Sequence, residues 1–218
     1  MKFIGSLVLF VFVAGCGSGQ HSADKGVLAE APAKVVVKDG SSEFELKDFT
    51  ISPPGDWKTF DLTKGDFKQM ISEAAKQSPK LAEMAPTLEQ AAQSGMIRLF
   101  AFDVKRGDDF VDNLNVVVTP GDLAMSIEKL TELNAEQLKS IMRVSPKPTF
   151  VDLPGGRAGV IDYPNPSGGP EQKISTIAYI MKQGSDQLTF SFTFKDSRRA
   201  GVQKAAEDSM KTVQLKKS

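Results

Sequence analysis

The chain has 218 residues, of which 27 are Lys or Arg, 27 are Asp or Glu, one is His and one is Cys. The balanced charge excludes strong global steering and argues against nucleic acid as the main partner, leaving room only for a local basic patch. The length suits one α+β domain with a sizeable core, and no later apolar stretch is long enough to cross a bilayer.

Lys2 gives a short positive start, and Phe3 through Val13 form an apolar run too short for a comfortable transmembrane helix. Small residues then lead to Val13-Ala14-Gly15-Cys16, which resembles a bacterial lipobox. The resemblance implies a diacylglyceryl group on the Cys16 thiol, cleavage between Gly15 and Cys16, and an acylated Cys16 as the first mature residue. One acyl chain holds a protein only marginally, whereas several together make detachment rare. An ordinary secretory signal is the alternative, but the lone cysteine stands where a thiol is required. The expected location is the bacterial cell membrane; in a diderm host, Gly17 in place of Asp after Cys16 points to the outer membrane, facing the periplasm. With Cys16 lipidated, no cysteine is left for a disulfide, a nucleophile or a zinc-thiolate site.

The expected organisation is a signal peptide over 1–15, an acylated N-terminus and tether over 16–34, and one globular domain over 35–218. The segment after Cys16 is rich in Gly, Ala, Ser and charge, as a tether is. Val35-Val36-Val37 predict an edge strand or extended arm, and Phe44, Leu46 and Phe49 begin an apolar alternation that the turn Pro53-Pro54-Gly55 interrupts before Trp57 and Phe60. The stripe Phe67, Met70, Ile71, Ala74 and Ala75 predicts a helix from Gly65 through Lys76, with a short helix after Pro86.

The period then changes. Met96 through Val104 reads as a strand that is apolar on both faces, hence covered on both sides. A turn at 105–109 and a strand over Leu114 through Val118 follow. The span Leu123 to Met142 reads as two helical pieces, the second opened by an Asn134 and Gln137 capping box. Strands are expected at Phe150–Leu153, Arg157–Tyr163 and Ile174–Met181, with a loop from Pro164 to Pro170. Leu188, Phe190, Phe192 and Phe194 alternate with Thr189, Ser191 and Thr193, which predicts a half-exposed strand of a terminal antiparallel hairpin. A last helix, capped by Asp196 or Ser197, turns Val202, Ala206, Met210 and Val213 to the sheet. These elements predict a layered α+β sandwich.

The ordered motifs 49–57 (FTISPPGDW), 100–103 (FAFD), 113–118 (NLNVVV), 154–158 (PGGRA) and the 179–194 hairpin resemble the Mog1/PsbP-like family, including LpqN-type bacterial lipoproteins. The resemblance covers Phe44 to the final helix and implies an αβα sandwich around a predominantly antiparallel central sheet. Family members often place Trp directly after the Pro-Gly turn, whereas Asp56 separates Gly55 from Trp57 here. The resemblance supplies no catalytic residue.

Trp57 suits a core anchor better than a ligand cage. Asn113 and Asn115 fall on one strand face and either bind a polar ligand or satisfy loop backbone. Arg157 beside Gly155-Gly156 either meets an anion or carries a strand edge into water. Asn165 lies in the Pro164 to Pro170 loop, which together with Trp57 makes a candidate partner-contact surface. Asp103, Asp108, Asp109 and Asp112 read as a solvated turn before a calcium or acid-base site. His21, in the tether, anchors no triad or zinc cluster. No catalytic residue, metal or cofactor is called for. The residues point to a noncatalytic membrane-tethered interaction or scaffold lipoprotein, whose partner is an envelope protein or small ligand; a small-molecule carrier or sensory module is the alternative.

Overall fold

In the computed structural model, the described residues are 34–38, 41–62, 95–103, 110–121, 124–166 and 173–216, together with Ser72 and Gln93. The expected signal peptide, the expected tether before Lys34, the expected turn at 105–109 and nearly all of the two helices expected between 65 and 94 lie outside them. In chain order the elements are β1 (Lys34–Lys38), β2 (Ser41–Glu45), β3 (Phe49–Ile51), β4 (Lys58–Asp61), β5 (Ile97–Phe102), β6 (Asn113–Pro120), α1 (Ile127–Met142), β7 (Thr149–Leu153), β8 (Gly156–Asn165), β9 (Ile174–Gln183), β10 (Asp186–Lys195), α2 (Arg199–Lys211) and β11 (Gln214–Leu215). No described helix is long and apolar enough to cross a membrane.

The seven-stranded central sheet runs β4-β5-β6-β10-β9-β8-β7, and every neighbouring pair is antiparallel. Period-two alternation sorts its side chains into two faces. On the first, Leu188, Phe190, Phe192 and Phe194 of β10 join Leu114, Val116 and Val118 of β6 and Ile177, Tyr179 and Met181 of β9 in one core. Val202, Ala206 and Met210 of α2, with Val213, bury against them as their spacing predicts. Fully burying each such Phe is worth about 1.5 to 3 kcal/mol.

The same face also carries a second sheet, in the order β1-β2-β3-β11, that the α+β reading did not anticipate. Its Leu46, Phe49 and Ile51 enter the first-face core, and Phe49 meets Phe190 edge to face at 5.2 Å. β1 is its edge strand, as the valine run predicts.

Helix α1 covers the opposite face over β8 and β9, with Ala135 and Leu138 packed on Ile161, Tyr163 and Ile180. The fold is therefore an α+β sandwich, with α2 and the small sheet on one side of the central sheet and α1 on the other. Three expectations change. α1 is one continuous helix whose N-cap is Ser126, not two pieces. Asn134 is mid-helix and buried; its Nδ2 donates to Leu130 O and to Gln187 Oε1, so no capping box exists there. At α2, a 3-10 turn over Asp196–Arg198 precedes the helix, and neither carries a side-chain cap bond.

Candidate functional site

The second face of the central sheet is polar in the middle. In one row across it stand Phe102 of β5, Asn113 of β6, Thr193 of β10, Thr176 of β9 and Tyr163 of β8. In the next row stand Phe100, Asn115, Ser191, Ala178 and Ile161. The predicted shared face of Asn113 and Asn115 is thus correct. Asn165, two positions beyond Tyr163, belongs to the same face and lies in β8, so Pro164 and Asn165 extend the strand that was expected to stop at Tyr163.

The first row is internally satisfied. Thr176, 1% exposed, shares a 3.0 Å hydrogen bond with Thr193, accepts from Asn165 Nδ2 at 3.0 Å, and bonds the Tyr163 hydroxyl. Burial raises the Tyr163 phenol to about 12. Asn113, 2% exposed, donates from Nδ2 to Val111 O at 3.1 Å, which is the loop-backbone role weighed for it.

The second row differs. Asn115 and Ser191 face each other across β6 and β10, both are half-buried, and neither has a side-chain hydrogen bond among the described residues. Their flanks are bulky, with Phe100 on one side and Ile161 under α1 on the other, while Ser191 and Ala178 between them are small. The row's other members, Phe100, Ala178 and Ile161, are buried, so the amide and the hydroxyl are its polar, partly exposed groups. Ser191 and Thr193 were read as the solvent side of a hairpin. The rest of that side is in fact covered, since Gln187 and Thr189 are buried and Gln187 donates to Asn134 and Thr189.

The remaining predicted residues sit elsewhere. Trp57 is half-buried with its side chain packed against the first-face core, in the anchoring role, and its backbone N–H donates to Pro54 O at 2.9 Å. It precedes β4, while Pro164 and Asn165 close β8, five strand spacings or about 24 Å away across the sheet. The loop residues 167–170 lie outside the described residues.

Arg157 pairs with Glu128 at 2.9 Å and Asp152 at 3.4 Å and lies over the Phe150 ring. Two members of the acidic group are not solvated: Asp103 and Asp112 are 5% and 1% exposed. Asp112 accepts from Arg198 at 2.5 Å and from Lys195 N at 3.2 Å. Its carboxyl is held above the usual value because desolvation outweighs these bonds. Asp108 and Asp109 lie outside the described residues, among which no cluster of three metal-ligating side chains occurs.

No protein-family model matches the sequence, and no curated protein does. Among solved structures, the chain is similar to a protein of Bacteroides thetaiotaomicron, with 14% identity, 78% of this chain and 46% of that one covered, and a TM-score of 0.43. It is also similar to the cyanobacterial PsbP protein CyanoP of Synechocystis, with 11% identity, 94% of this chain and 99% of that one covered, and a TM-score of 0.46. The chain thus spans less than half the length of the first of these.

Proposed function

We propose that this chain is a noncatalytic interaction or scaffold lipoprotein of the bacterial cell envelope, related to the Mog1/PsbP-like proteins. In this reading acylated Cys16 holds the folded body at a membrane surface through the tether that follows it, and the body engages an envelope protein.

The placement of exposed apolar side chains carries the interaction. Leu133, Ile141, Phe150 and Val151, the large apolar residues left exposed among the described residues, lie on α1 or on β7, which follows it. Among the described residues, β7 ends the central sheet and pairs only with β8, so one side of its backbone has no described strand beside it. An extended segment laid along such an edge gains main-chain hydrogen bonds and apolar contacts together. The buried ion pair of Asp112 with Arg198 supports the noncatalytic part, since that carboxylate is matched within the fold.

Crosslinking in intact envelopes followed by affinity recovery tests this reading. Wild-type chain is expected to bring down a reproducible envelope protein, and Val151→Lys to recover much less of it. A protein that stays monodisperse without a specific partner, or equal recovery by the variant, contradicts it.

The open Asn115 and Ser191 pair favours a second reading, a small-molecule carrier or sensory module. Native mass spectrometry of gently purified protein separates the two, because only a carrier holds a co-purifying ligand that depends on Asn115.

A further inference from the structure

We infer that β7 is a self-pairing strand: it lies antiparallel to β7 of a second copy of this chain, across a twofold axis at Val151, and joins the two central sheets into one. The inference rests on the interaction reading and names its partner. Edge strands are ordinarily blunted by charge, proline, a bulge or a covering element. Thr149, Phe150, Val151 and Asp152 are exposed one after another, so both faces of this strand are open. The register with β8 runs one to one from Thr149 to Leu153 without a bulge, and the strand holds no Lys, Arg or Pro. The strand at the other end of the described sheet differs, since β4 opens with an exposed Lys58 and keeps its Phe60 buried.

The strand complements itself in one register. With the axis at Val151 all five residues pair: Val151 meets the copy's Val151, Phe150 its Asp152, and Thr149 its Leu153. Val151 and Leu153 share a face, on which Leu153 already packs against the first-face core, so the apolar side of one copy continues that of the other. An axis at Asp152 would set two carboxylates directly opposite, which is unfavourable across strands. An axis at Phe150 would draw in Pro148, which has no N–H to give to a ladder. Equal totals of 27 basic and 27 acidic residues leave two copies without net repulsion. Such a contact uses one patch on both partners and closes after two copies. Five paired residues make a small interface, and tethering to one membrane surface supplies the effective concentration at which it holds.

The test places cysteine on the strand of the full chain in its native envelope, as Val151→Cys and, separately, Thr149→Cys. With Cys16 acylated, the introduced residue is the one thiol of the mature chain. Both positions are exposed, so neither substitution disturbs the core. At the axis, facing Cα atoms stand about 4.5 to 5.5 Å apart, within disulfide reach. At Thr149 the two are four residues apart along the strand, about 13 Å or more, and out of reach. After oxidation with copper phenanthroline, Val151→Cys is expected to give a disulfide-linked dimer of this chain, about tenfold more than Thr149→Cys gives. Equal dimer from the two variants, or dimer in the wild type, overturns the inference. Linkage of Val151→Cys to a different protein also overturns it while the interaction reading stands. Monomer alone overturns it as well, and the recovery by Val151→Lys then decides the interaction reading separately.

Discussion

Thr131 of α1 sits directly on Gly159 of β8, so closely that a Cβ added to the glycine would overlap the threonine side chain. The helix can rest on the second face only because the strand has no side chain at that point. Thr131 itself is fully buried and satisfied, since its Oγ1 donates to Ile127 O at 2.6 Å within the helix.

Gly159→Ala is therefore expected to destabilise the domain by about 1 to 3 kcal/mol through overpacking. Adding Thr131→Ala should recover part of that loss, because the two positions are in contact and their effects do not add. Urea unfolding of the single and double variants measures both. An unchanged midpoint for Gly159→Ala would show that α1 is not seated on β8 in this way.

Asp112 and Arg198 form a pair with side chains 1% and 11% exposed, and Arg198 also donates to Phe110 O at 3.1 Å. Arg198→Met leaves the carboxylate buried without its cation and is expected to cost about 3 kcal/mol or more. The Asp112 carboxyl, already above its ordinary value because of burial, should rise further in that variant. The folded state then holds this proton longer than the unfolded chain. Its contribution to stability is present in acid and is lost as pH rises through the range above 3.8. Carboxyl-detected NMR titration follows the group in both proteins.

The two tyrosines of the chain provide an optical titration. Burial raises Tyr163 and Tyr179 from 10.0 to about 12, and Glu207 and Asp162 add to the rise at Tyr179. Between these values the folded state binds more protons than the unfolded one, so stability falls as pH rises from 10.0 toward about 12. Absorbance near the phenolate band should stay flat at pH 10 in native protein and rise at once in denaturant. Half-ionisation of either tyrosine at pH 10 in the native state would contradict the burial described for it.

The first face of the sheet is legible in the sequence because its signals are local. Phenylalanines two apart on β10 and the Val202, Ala206, Met210 series on α2 need only the strand and helix periods to be placed. The second face is not, because its signals depend on distant partners. Asn134 looks like a cap by residue type, but its role is set by Gln187, which follows 53 residues later. Asn113 and Asn115 are visibly on one face, yet the sheet order that sets β6 beside β10 makes Ser191 the residue opposite Asn115. β11 is two residues long and has no periodicity to read, so the small sheet it completes was missed.

The proposed envelope role depends first on what happens at Cys16, and the mass of the mature protein from native membranes tests that most directly. The account predicts a chain that begins at Cys16 and carries diacylglyceryl mass, and predicts that Cys16→Ser releases the protein from the membrane fraction. A mature chain that begins elsewhere, or an unmodified Cys16 on membrane-bound protein, would contradict it.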